Sequence, residues 1–142
     1  MDTAPCSTAV PAVEVMGRVA LARAGERLAA EHLVAAHGLT IVATNLRVAL
    51  EDLRGELDVV AHDERTGLLV VCEVKARTHA TGAGASEALG ARQQARIRRM
   101  TSVLLAQRTL RARRVRFDLV AVDLAVARAG TPATLQHHPG AW

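Results

Sequence analysis

"GELDVVAHDERTGLLVVCEVKAR", residues 55 to 77, is the stretch on which the reading of the fold turns. Two runs rich in Val and Leu, 56–63 and 68–77, flank the turn-forming "ERTG" at 64–67. That is the pattern of an antiparallel hairpin with a four-residue loop. Placing Asp63 across from Leu68 sets a register in which Asp58 faces Glu73 and Glu56 faces Lys75. Side chains two apart on a strand share a face, so all four project from one side. Directly opposed Cβ atoms lie about 5 Å apart.

Facing carboxylates in so apolar a strand are costly. Like charges across a ladder destabilise it, and desolvation either raises one pKa or calls for a cation between them. Three carboxylates and one ammonium leave a deficit that a hard divalent cation fits. Mg²⁺ typically takes one or two carboxylates together with waters and substrate phosphates. A lysine beside such a metal could orient or deprotonate a water for attack on phosphorus. The plainer reading is a solvated hairpin face with Glu56 and Lys75 as an ordinary cross-strand pair. One extra loop residue would also flip the faces of one strand. Spacing alone leaves both readings open. Lys75 is, however, the only lysine in a chain with 17 arginines. Arginine stays permanently charged, whereas lysine offers a compact ammonium whose pKa can shift.

Working outward, Met16 to His37 has helical periodicity and Gly38 is a stop signal. Leu21, Leu28, Ala29 and Leu33 share one face, Arg23, Arg27 and Glu31 lie opposite, and Glu26 falls at the border. "LTIVATNLRV" (39–48) reads as a strand, and "ALEDLRG" connects it to the hairpin. "THATGAGASEALG" (78–90) is a Gly-, Ala- and Thr-rich loop with a helix entrance near Ser86. Residues 91–110 are again helical, and "VRFDLVAVDLAV" (115–126) is the last strand. The organisation expected is a flexible tail at 1–14, one domain at 15–126 and a C-terminal tail at 127–142. The order helix, three strands, helix, strand gives an α/β fold around one mixed sheet flanked by helices.

Composition narrows the partners. The net charge of +4 and a pI near 10.4 point to an anionic partner such as nucleic acid. Nine arginines fall between Arg92 and Arg116, and on a helix Arg92, Arg96 and Arg99 share a face opposite Ile97 and Leu104. Clustered guanidinium groups suit phosphate contacts. With one Phe, one Trp and no Tyr, the chain lacks the stacking platform of single-strand binders, so duplex or branched DNA fits better. Charge alone does not separate DNA from RNA. Cys6 and Cys72 make neither a disulfide framework nor a zinc site by themselves. The start "MDTAPCSTAVPAVEV" lacks a signal-peptide pattern, and no apolar run approaches the ~20 residues of a membrane span. A cytoplasmic protein without membrane contact is the expectation. His32, His37, His62 and His79 show no ligand spacing, and His137 and His138 fall in the tail, where they would catch a metal only adventitiously.

At these residues the chain resembles a known family. "GELDVVAHD…LLVVCEVKAR" is similar to the hydrophobic–Asp, then Glu-x-Lys core of the PD-(D/E)xK nuclease superfamily. It looks more closely like the YraN-like, endonuclease-like group of bacterial proteins. The likeness extends from "GERLAAEHLVAAHGLTIVATNLR" through "ARQQARIRRM" to "VRFDLVAVD". It implies a restriction-endonuclease-like αβββαβ core, similar to archaeal Holliday junction resolvases. It also implies Asp58 and Glu73 as ligands of Mg²⁺ or Mn²⁺, Lys75 as the catalytic lysine, and Glu26 and Gln94 as supporting site residues. Arg77 and the helix arginines Arg92, Arg96 and Arg99 would contact nucleic acid. Glu56 matches the family's Gly-Glu without a settled role. The resemblance further implies a homodimer, since resolvase-like nucleases cut two strands. Three departures stand out: a longer "VALEDLRG" turn, Leu46 for a frequent aromatic, and Gln93 where lysine is common. The activity implied is hydrolysis of DNA phosphodiesters, including branched or repair and recombination intermediates. The alternative is a non-cleaving DNA-binding or accessory protein of recombination or repair that keeps the fold.

Overall fold

The computed structural model describes residues 17–78, 89–124 and 133–142. Helix α1 (Arg18–His37) turns Ala24, Gly25, Ala29 and Leu33 inward and ends at Gly38 in a left-handed conformation (φ 65°). The Gly38 N–H donates to Val34 O (3.0 Å) and the Leu39 N–H to Leu33 O (3.1 Å). This Schellman arrangement satisfies two terminal carbonyls and sets Leu39 into the same core as Leu33. The chain leaves it directly into strand β1 (Thr40–Ala49).

Strands β2 (Arg54–Asp63) and β3 (Leu68–Arg77) form the hairpin. Its loop is the four residues 64–67. The Asp63 side chain accepts from the Arg65 N–H (3.0 Å), the Gly67 N–H donates to Asp63 O (2.9 Å), and Gly67 sits at φ 77°. A β-branched or bulky residue would be strained there. Helix α2 (Ala91–Ala106) crosses over to strand β4 (Arg114–Asp123), which lies parallel to β3. The five-stranded mixed sheet has the order β1-β2-β3-β4-β5, closed by β5 (Thr134–His138) antiparallel to β4. This is the α/β architecture expected, consistent with a restriction-endonuclease-like core.

Each helix covers one face of the sheet. Ala24, Ala29 and Leu33 of α1 pack with Val59, Ala61, Val70, Cys72, Val120 and Val122. Ile97, Met100 and Leu104 of α2 pack with Val60, Leu69, Val71, Phe117 and Leu119. Alternation along β3 and β4 therefore reads directly: even-numbered positions such as Val70 and Cys72 face α1, and odd ones such as Leu69 and Val71 face α2. Glu73 and Lys75 fall in the α2-facing series, and Asp118 in the α1-facing one.

Three expectations need correction. The second helix ends at Ala106, earlier than Leu110, because the chain turns through Arg108 at φ 63°. The stretch 127–142, expected as a tail, carries β5: Leu135 and His137 point inward while Thr134, Gln136 and His138 are exposed. The β2–β3 register is the expected one from Asp63↔Leu68 to Val59↔Cys72 but is not continued to Asp58 and Glu73. The 1–14 tail, Ser86 and His79 lie outside the described residues.

Candidate active site

The site begins where the sheet loses its regularity. On β2, Leu57 packs in the α2-side core and Val59 in the α1-side core, although residues two apart on a regular strand share a face. The strand thus turns over at Asp58. The β1–β2 ladder likewise runs on both sides of the Asn45/Asp58 level without including it, and Asn45 has φ 52°. Asparagine tolerates that left-handed conformation better than most residues. With β2 and β3 no longer paired beyond Val59↔Cys72, side chains from both helix layers can enter the gap.

Asp58 occupies this gap. Its Oδ2 accepts the Val74 N–H at 2.9 Å, so a side chain takes the place of a ladder partner. Its carboxyl group also stands within hydrogen-bonding reach of Glu73. Burial, before any other cause, pushes the Asp58 pKa up to about 6, and the charges of Glu26 and Glu56 add to it while the Val74 N–H opposes. Glu73 is pushed up to about 8, by burial first and then by Asp58, with Lys75 opposing. Two half-buried carboxyls that together hold a proton are a site that a divalent cation can claim by displacing it.

Around this pair the other charges are more nearly balanced than the sequence implied. Glu26, only 6% exposed, accepts from Asn45 Nδ2 (2.7 Å) and from Arg23 Nη1 (3.1 Å). Glu56 is flanked by Arg23 (3.7 Å) and Arg47 (3.6 Å). Among the described residues, four carboxylates thus meet Arg23, Arg47 and Lys75, a formal deficit of one rather than two. Arg23 and Arg47 settle Glu26 and Glu56, which leaves the deficit on Asp58 and Glu73.

Glu26, Asp58, Glu73 and Lys75 come together. Gln94 does not: its Nε2 donates to Leu89 O (2.8 Å) at the entrance to α2. Its neighbour Gln93 reaches the site, with Nε2 2.9 Å from Glu73 Oε2. Asn45 is thus a residue that sequence reasoning missed, and Gln93, noted there only as a departure from lysine, is one whose contact it did not place. The signal available for Asn45 was an asparagine inside a strand pattern; for Gln93 it was only helical phase.

Arg92, Arg96 and Arg99 line one cleft of about 270 Å³ with Asp52, Leu53, Arg54 and Ala95. The Arg96 guanidinium donates to Arg54 O, and Arg99 pairs with Asp52 at 3.3 Å. Arg98 lies elsewhere, over the Phe117 ring at 4.8 Å. Arg77 is half-buried at the end of β3, away from the other three in sequence and element. The cleft and the carboxyl pair share elements: β2 carries Arg54 and Asp58, and α2 carries Arg92 beside Gln93.

Among the described residues no helix is long and apolar enough to cross a membrane. No solved structure matched the chain. Its relatives by sequence include a UPF0102 protein of Kineococcus radiotolerans, 41% identical over 90% of this chain and 98% of its own length. A UPF0102 protein of Syntrophotalea carbinolica is 38% identical over 88% of this chain and 93% of its own. One of Mycobacterium tuberculosis (strain ATCC 25177 / H37Ra) is 35% identical over 90% and 96%. Residues 25–122 match the profile of the uncharacterised protein family UPF0102, a span that holds α1 from Gly25 onward, all of α2, and Glu26, Glu56, Asp58, Glu73 and Lys75. The chain belongs to that family.

Proposed function

We propose that this protein is a metal-dependent endonuclease of the PD-(D/E)xK type that hydrolyses phosphodiester bonds of DNA. One observation carries the reading: Asp58 and Glu73 meet at the point where β2 and β3 part, with Lys75 next on the same face of β3 as Glu73. Two adjacent carboxyls that offer oxygen ligands fit Mg²⁺ or Mn²⁺. When bound, such an ion polarises a phosphoryl oxygen and acidifies a water. The chain's own residues do the rest. Asp58 is held rigid by the Val74 N–H, and Glu73 by Gln93. Lys75 orients the attacking water and offsets charge developing on the phosphate. The cleft of Arg54, Arg92, Arg96 and Arg99 receives the flanking backbone.

The test is cleavage of plasmid, flapped and four-way duplexes, with RNA alongside, in Mg²⁺ or Mn²⁺ and in EDTA. Lys75→Ala is expected to lower the rate at least ~100-fold, the order by which loss of a general acid–base or charge-stabilising group slows an enzyme. Equal cleavage by the wild type and Lys75→Ala would mean a contaminant and end the assignment.

The arginine cleft supports a second reading, a DNA-binding protein that does not cleave, because it offers phosphate contacts without calling on the carboxyl pair. Calorimetric titration with Mn²⁺, with and without duplex, separates the two. Only the nuclease requires the ion to bind at Asp58 and Glu73.

A further inference from the structure

On the far face of the sheet from Glu73 and Lys75, three histidines converge that the nuclease reading does not use. His32 and His37 come from the last turns of α1 and His137 from β5. His137 Nδ1 lies 3.2 Å from His32 Nε2 and 3.1 Å from His37 Nε2. The rings meet edge to face, with centroids 4.8 to 5.1 Å apart, and the candidate ligand atoms all lie within 4.8 Å of one another.

The protonation of His137 follows from its other nitrogen. Nε2 is 2.8 Å from Asp118 Oδ2. Asp118 is fully buried, and its oxygens also accept from Arg116 Nε and Nη2 (both 2.8 Å) and from the Gly140 N–H (3.0 Å). A carboxylate held by both nitrogens of a guanidinium only accepts, so His137 Nε2 carries a proton, and in the neutral ring Nδ1 presents its lone pair. That lone pair faces two further ring nitrogens at once, which is more donors than it can serve well, but a suitable arrangement around a cation.

We propose that His32 Nε2, His37 Nε2 and His137 Nδ1 form a binding site for a late first-row divalent ion, of which zinc is the representative, clasping β5 to α1. Zn–N bonds of about 2.0–2.1 Å place tetrahedral neighbours about 3.4 Å apart, close to two of the nitrogen separations observed. Three imidazoles without a carboxylate oxygen select zinc, nickel or copper over magnesium, so this ion differs in kind from one held by Asp58 and Glu73. Asp118 supplies the outer support: a carboxylate that receives the second N–H of a ligating histidine fixes its tautomer and ring plane. The fourth position is left to water or an external ligand.

The experiment uses untagged, metal-stripped protein carrying Asp58→Asn and Glu73→Gln, which removes the other candidate site. Titration with Zn²⁺ is expected to give one saturable equivalent and a rise in melting temperature. Co²⁺ should give visible d–d bands. Adding His37→Gln, at an exposed position where folding is not at stake, should abolish the saturable binding, the bands and the thermal shift. Either the absence of saturable Zn²⁺ binding in the parent, or binding that His37→Gln leaves unchanged, overturns the proposal.

Discussion

Asp58 and Glu73 tolerate one proton between them more readily than two negative charges, and this has a sign. Both folded-state values, about 6 and about 8, lie above the unfolded carboxyl range near 4. The pair's contribution to stability is therefore fully present below about pH 4 and is withdrawn as the pH climbs through 6 to 8. Metal-free protein should lose on the order of 1–3 kcal/mol between about pH 5.5 and 8.5 in urea unfolding. Glu73→Gln should flatten that slope, and millimolar Mg²⁺ or Mn²⁺ should restore stability at the alkaline end. A slope as steep in Glu73→Gln as in the wild type would remove Glu73 as its source. At this scale the sequence was legible where chemistry is tied to strand alternation, as at Glu73 and Lys75. It was not legible where one residue of helical phase decides, because successive residues on α2 point about 100° apart. Gln94 was expected at the site, and Gln93 is the one that touches Glu73.

Among elements, the contact of α1 with the end of β3 is the tightest constraint on the site. A Cβ on Gly25 would stand 2.6 Å from the Ala76 Cβ, closer than carbon atoms approach, so α1 would have to move off the sheet. Because Glu26 follows Gly25, that movement would also draw the buried carboxylate away from Asn45. Gly25→Ala is expected to cost about 1–3 kcal/mol despite favouring a helical backbone, measured as a lower midpoint in denaturant. An unchanged or higher midpoint would show that the helix can slide without penalty. The hairpin was readable because two long apolar runs frame a four-residue loop. β5 was not: "TLQHH" is five residues with a single aliphatic side chain, and its pairing with β4 supplies the order that its composition lacks. The histidine cluster was hidden for a related reason. His32 and His37 are five apart, outside the usual i,i+4 ligand spacing, and their third partner arrives from a strand 100 residues later.

For the molecule as a whole, charge separation sets the expected behaviour toward polyanions. The acidic groups of the carboxyl site are offset locally in all but one charge, whereas Arg92 and Arg96 stand exposed beside Arg99 along one cleft. Each phosphate contact contributes about 0.9 to the slope of log affinity against log salt on duplex DNA. Replacing Arg92, Arg96 and Arg99 with serine should flatten that slope by about 2–3, read by fluorescence anisotropy across a salt series. A variant with the wild-type slope would place the phosphates on another face. The order of elements and the mixed sheet followed from periodicity and turns, since those are local signals; the departure of β2 from β3 at Asp58 did not, since strand irregularity has no composition of its own. At the far end of the chain, Trp142 stacks on Phe117 with centroids 5.5 Å apart and planes at 23°. There is no tyrosine and no second tryptophan. The protein therefore carries a single strong near-ultraviolet fluorophore, seated against the core under α2. Its emission reports whether the last residues are docked, and it does so without any added label.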